Sequence, residues 1–217
     1  MTTISTSPAQ ASRGSLFVFI ALVAGLAIGA LTLLLQGLLP NSILQIANSG
    51  AVWSIAAFVL GWRAPSARVA MIAGVIALAG EVTGYYTAAY FSDLMDISAG
   101  TMAIVGYWLF VALLAGPLFG WAGYQSRHGT GLREQIARAA LGAAFVGEGL
   151  HLLMVLPTPN TSILWFAIAV VITLLLTWRR HDWTRIWLIW GGLSLLFFGA
   201  MRGLVLLDEL RVLITQG

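Results

Sequence analysis

Hydrophobic residues fill the chain in seven long runs, and polar residues are confined to the short joints between them. The runs cover residues 15–39, 43–62, 69–91, 99–123, 136–156, 161–178 and 186–207. Each is close to the ~20 residues that a helix needs to cross ~30 Å of hydrocarbon. The pattern predicts an all-α polytopic bundle of seven transmembrane helices, with joints too short to hold a soluble domain. Residues 1–14 are polar, contain Ser, Thr and Pro, and are expected to form a disordered tail on the cytoplasmic side. The first run is too long for a signal-peptide core and reads as a retained helix.

The runs are not uniform. The second carries Gln45, Asn48, Ser49 and Gly50 in its first half. Asn-Ser-Gly favours a turn, so that end is expected to be unwound or re-entrant, with Asn48 hydrogen-bonded rather than facing lipid. Pro117 stands inside the fourth run, and Pro157 and Pro159 stop the fifth. The third run, Val69–Phe91, holds one carboxylate, Glu81, near its middle. Ala73, Ala77, Gly80 and Gly84 recur beside it at helical spacing, so the acid is expected to point into the protein rather than into lipid.

Composition narrows the class. Of 217 residues, 59% are hydrophobic and 9% charged, against about 25% charged in a soluble domain. The absence of cysteine excludes disulfides, thiolate metal sites and cysteine nucleophiles. All 11 basic residues are arginine, so no lysine Schiff base can form. The net charge is only +3 and the arginines sit in short loops, which points to topology and not to a nucleic-acid partner.

Those arginines alternate from loop to loop. Arg13 precedes the first run, Arg63 and Arg68 follow the second, Arg127, Arg133 and Arg138 surround the joint after the fourth, and Arg179, Arg180 and Arg185 follow the sixth. The remaining joints hold none, and the one between the third and fourth runs holds Asp93 and Asp96. The positive-inside rule then places the N-terminus in the cytoplasm and the C-terminus outside. Trp62, Trp121, Trp178 and Trp183 fall at the same inner boundary, as an aromatic belt would.

Candidate chemistry is confined to a few intramembrane groups. Glu81, Glu148 and Arg202 lie inside predicted helices, His151 is one turn beyond Glu148, and Tyr85 is one turn beyond Glu81. A charge at such depth costs about 2.5–3.5 kcal/mol on the insertion scale, so it needs a partner or a task. Two readings stay open: an ion pair that fixes helix register, or a solute or proton site shared by both glutamates and Arg202. Glu148-x-x-His151 is half of a carboxylate-bridged di-metal pattern, but Gly84 stands where Glu81 would need a histidine. No metal or other cofactor is assigned. Ser54 and Ser194 have no histidine placed as a base, and no zinc-peptidase or phosphate-loop motif occurs, so no catalytic residue is assigned.

Two local patterns bear on packing. Phe58-Val-Leu-Gly-Trp62 recurs as Pro117-Leu-Phe-Gly-Trp121, each followed by a basic joint and a helix bearing Gly-Glu, which suggests repeated hairpins. GxxxG occurs at Gly25–Gly29, Gly80–Gly84, Gly116–Gly120 and Gly199–Gly203, where helices could approach closely.

At Asn48-Ser-Gly-Ala-Val-Trp53, Ala57-Phe-x-x-Gly61, Gly80-Glu-Val-Thr-Gly-Tyr-Tyr86, Gly116-Pro-Leu-Phe-Gly120 and Gly147-Glu-Gly149, the chain resembles a family of bacterial multi-pass membrane proteins. That family is known only as a domain of unknown function. The resemblance implies a bacterial inner-membrane protein, supplies no activity, and draws attention to Asn48, Tyr85 and Tyr86 beside the charged residues. The leading expectation is small-solute binding or transport at Glu81, Glu148, Arg202, His151, Tyr85 and Asn48. A membrane-embedded enzyme acting on a lipid or isoprenoid, and a structural partner subunit of a membrane complex, are the alternatives.

The orientation is testable because the chain has no native thiol. A cysteine at Ser92 is expected to react with an impermeant maleimide on intact cells, and one at Ser126 to be shielded. Reversed labelling would refute the orientation.

Overall fold

The computed structural model describes residues 8–39, 44–47, 49–155, 158–178 and 182–216. Among these residues the protein is all-α and has no strand. The helices are α1 (Pro8–Leu38), α2 (Leu44–Ala47), α3 (Gly50–Arg63), α4 (Ala67–Phe91), α5 (Ala99–His128), α6 (Gly131–Met154), α7 (Pro159–Thr177) and α8 (Trp183–Gln216). Six of them are long and apolar enough to cross a membrane. The second hydrophobic run is divided. Its helical turn α2 ends at Ala47, and α3 starts afresh at Gly50 after Ser49, which is extended (φ −104°, ψ 125°). With 14 residues, α3 is ~21 Å long and cannot span the hydrocarbon alone.

Helix starts follow local chemistry. Ser49, Ser66 and Ser98 each accept a backbone N–H three residues on, capping α3, α4 and α5. Helix α1 begins at Pro8, inside the stretch expected to be disordered. Helix α5 runs on to His128, whose ring stacks on Tyr124 at 4.5 Å.

Contacts fix the relative directions of the helices. Gly25 meets Ala77 and Gly29 meets Glu81, so α1 and α4 run parallel. Trp53 meets Trp108, and Gly61 meets Gly120, so α3 and α5 do too. Gln135 bonds Asp182, and Gly147 abuts Phe197, so α6 and α8 are also parallel. The hairpin pairs α4–α5 and α6–α7 are antiparallel, through Gly74–Gly116 and Gly149–Phe166. The helix ends carrying Arg63, Arg68, Arg127 and Arg133 therefore gather at one face, here termed the basic end. There the Arg63 and Arg127 guanidiniums lie 5.5 and 4.7 Å from the Trp62 ring centroid, and Arg127 donates to the Trp62 carbonyl.

Glycine makes these approaches possible. A Cβ at Gly29 would fall on the Glu81 carbonyl, one at Gly84 on the Leu26 carbonyl, and one at Gly120 on the Ala70 carbonyl. Three of the four GxxxG pairs are thus helix–helix seams, while Gly199 and Gly203 face open space. The two Gly-Trp segments meet each other: Gly61 lies against Gly120, and Gly123 against the Phe58 carbonyl. The core follows as a small-residue interior around Ala57, Ala73, Ala77, Ala137, Ala140 and Phe145, all nearly inaccessible.

Burial also changes the choice of labelling sites. Ser126 is only 2% exposed and donates to the Gly123 carbonyl. A thiol there would stay silent on either side of the membrane; Thr130 is exposed and at the same end, and replaces it.

The seams predict an asymmetric response to added bulk. Gly29→Val is expected to cost about 1–3 kcal/mol through overpacking, whereas Gly37→Val on the same helix, with nothing near its Cβ position, should leave the melting temperature within about 2 °C. Thermal unfolding in detergent measures both, and equal shifts would contradict the seam.

Candidate functional site

The break before α3 leaves a helix N-terminus whose free N–H groups need partners, and Ser49 and Ala51 on either side of Gly50 are buried. Two protein groups satisfy them. The Ser49 hydroxyl oxygen accepts from the Val52 N–H at 3.1 Å, and the Glu148 carboxylate of α6 accepts from the Ala51 N–H at 2.8 Å. The Ser49 hydroxyl donates in turn to the same Glu148 oxygen, Oε2, at 2.9 Å. A negative charge at this position also meets the positive pole of the helix dipole. Ser49 and Glu148 are both buried.

The sequence around Glu148 explains how the acid is walled in. Glycine stands on either side of it. A Cβ at Gly147 would meet the Phe197 Cβ of α8 at 2.6 Å, and one at Gly149 the Phe166 ring of α7 at 2.7 Å. Both neighbouring helices close over the carboxylate because those positions lack side chains. The Trp165 indole N–H, fully buried on α7, lies beside the carboxylate but forms no aligned hydrogen bond.

One turn further along α6, His151 is buried and its Nδ1 has no hydrogen-bond partner. Arg202 of α8 is half-buried and near enough to act on His151 through its charge. It makes no ion pair with Glu148 or Glu81 among the described residues.

Glu81 lies elsewhere. It is 0% exposed, on the α4 face whose backbone touches α1 through Gly29, and neither carboxylate oxygen has a partner. Tyr85, expected as its hydrogen-bond partner, instead donates to Gln36 of α1 at 2.8 Å and packs against Trp53 at 6.2 Å. A glutamine amide about two turns beyond the Gly29 seam is within reach of the phenol, and the phenol takes it. Asn48 lies outside the described residues. The expected constellation is therefore distributed. Glu148 joins α6 to α3, His151 and Arg202 stand between α6 and α8, and Glu81 stands alone in α4.

Sequence reasoning passed over Ser49 and Trp165 as site residues, and Gln36 altogether. Ser49 had a readable signal, since serine directly before an apolar helical stretch is a capping residue. Gln36 and Trp165 carried none, because their relevance depends on which helix they face. Among the described residues, no three His, Asp or Glu side chains lie together in a way that could hold a metal ion.

A family model, described as a family of unknown function (DUF6518), matches residues 8–210, nearly the whole chain. The chain belongs to the DUF6518 family. No curated protein and no solved structure matches it. For this DUF6518 protein the geometry around Glu148 is the most completely specified part of the interior.

That geometry predicts a graded mutant series. Glu148→Gln keeps a carbonyl acceptor for Ser49 and Ala51 and should retain most of the stability of the DUF6518 fold. Glu148→Ala strands two buried donors and should cost about 1.5–3 kcal/mol. Thermal unfolding in detergent reads the difference; equal melting points for the two variants would show that the cap is not supporting α3.

Proposed function

We propose that this multi-pass membrane protein binds or transports a small solute, with Glu81 as the group that takes up and releases a proton or small cation. The observation that carries the reading is the solitude of Glu81: fully buried, in the middle of a membrane helix, with both oxygens unpartnered. An ionised carboxylate in such a place lacks the donors that would offset its desolvation. The site accommodates the neutral acid, or the carboxylate together with a cation. A group that alternates between those forms is what a coupled carrier requires.

The interrupted α2–α3 segment supports the same reading. Transporters of several folds use discontinuous helices whose ends meet substrates near the bilayer midplane. Here the α3 terminus is occupied by Glu148, so we assign Glu148 to holding α3 and Glu81 to exchange. We assign Tyr85, His151, Arg202 and, from its sequence position beside Ser49, Asn48 as candidate ligand contacts. By the positive-inside rule the basic end faces the cytoplasm, which fits residence in a bacterial inner membrane.

The two acids are distinguishable by chemistry. A hydrophobic carbodiimide reacts with protonated carboxyl groups in apolar surroundings. Peptide mass spectrometry should find the adduct on Glu81, weakened as pH rises, and little on Glu148, whose carboxylate is committed to two donors. In proteoliposomes holding a pH-sensitive dye under an imposed potential, wild type should conduct protons and Glu81→Gln should lose at least about tenfold of that flux, a transition of ~1.4 kcal/mol or more. Absence of both the adduct and the flux would leave Glu81 a sealed structural group and refute the proposal.

A further inference from the structure

We infer that the crevice between α5, α6 and α8 at the basic end binds an anionic phospholipid, with one acyl chain in the crevice and the phosphate between Arg68 and Arg133. The crevice has a volume of about 510 Å³, and its walls include Met71 of α4, Trp121 and Leu118 of α5, Ile136 of α6, and Leu193 and Phe197 of α8. Its lining is almost wholly apolar, which excludes a polar solute and suits hydrocarbon. It opens sideways where Leu118 is 44% exposed. At its inner side the Phe197 ring stacks on Phe119 with centroids 5.7 Å apart. From Trp121 to Leu114 the α5 wall rises ~10 Å, enough for the first part of an acyl chain.

An apolar crevice facing lipid would accept any chain; charge is what selects the headgroup. Arg68 lies three residues before Met71 on α4, and Arg133 three residues before Ile136 on α6. Residues at that spacing share a helix face, and α4 and α6 run in the same direction. Arg68 and Arg133 therefore stand one turn nearer the basic end than Met71 and Ile136, on two helices that border the crevice. Both are exposed, and neither has a hydrogen-bond or ion-pair partner among the described residues. Of the other described arginines at this end, Arg138 is bound to Glu134 at 2.9 Å and to the Leu176 carbonyl, Arg63 and Arg127 lie against Trp62, and Arg185 at the start of α8 is exposed and could add a third charge to the same headgroup. Uncommitted arginines beside an apolar slot match a phosphate with a chain attached, and basic pockets between membrane helices recognise anionic headgroups in this way.

The test is a titration of the purified full chain, stripped of lipid in detergent, read by native mass spectrometry. The probes are phosphatidylglycerol and phosphatidylcholine with identical chains. Wild type should retain phosphatidylglycerol about tenfold more strongly. Arg68→Gln with Arg133→Gln should erase that preference, while Arg63→Gln should keep it. Leu118→Trp, which fills the crevice from an exposed position, should reduce phosphatidylglycerol binding about tenfold with the arginines intact, and it carries the test if the double variant does not fold. Equal retention of the two lipids by wild type would overturn the inference, as would an undiminished preference in the double variant. Displacement of the lipid by millimolar glycerol 3-phosphate would mean that the headgroup binds without the crevice, and would overturn it too.

Discussion

A helix end inside a membrane must be satisfied by the protein itself, and the fold is arranged around one such end. Helix α3 begins at Gly50 between buried Ser49 and Ala51, and its first N–H groups are served by Ser49 and by a carboxylate from α6. That requirement fixes where α6 stands, which in turn sets the positions of α7 and α8, since both close on α6 through Gly147, Gly149 and Gly142. The glutamate is costly in hydrocarbon, and so is an uncapped helix. Placed together they offset each other. A buried acid of this kind is better described as part of the backbone hydrogen-bond network than as a free charge.

Glu81 is the counterpart that no such network absorbs. Its helix is held by glycine seams to α1 and α5, and those seams need only backbone and small side chains. Nothing in them requires a carboxylate. The contrast between the two glutamates therefore rests on the surroundings each helix brings, and not on depth or residue type. It is also the reason for assigning holding to one acid and exchange to the other.

Much of the architecture was legible in the chain. Hydrophobic run length marked the long helices, Asn-Ser-Gly coincided with the interruption before α3, and three GxxxG pairs fell on real seams. What could not be read was azimuth. Tyr85 is one turn from Glu81 in sequence, yet its phenol is aimed at Gln36, and only the rotation of α4 against α1 decides that. Arg202 and the glutamates sit at compatible depths in their runs, but depth does not say which neighbour a side chain meets, and neither glutamate pairs with Arg202. The fourth GxxxG, Gly199–Gly203, faces open space, which shows that the motif permits close packing without requiring it.

The bond between Glu148 and α3 also orders events in time. Its partners are 97 and 99 residues apart in the chain, so α3 is synthesised and delivered to the bilayer well before α6 exists. Until the sixth helix arrives, the α3 terminus has only Ser49 to cover it. The first helices thus wait in an incomplete state that the later part of the chain must finish. In N-to-C synthesis the cap on α3 is complete only once Glu148 has been made.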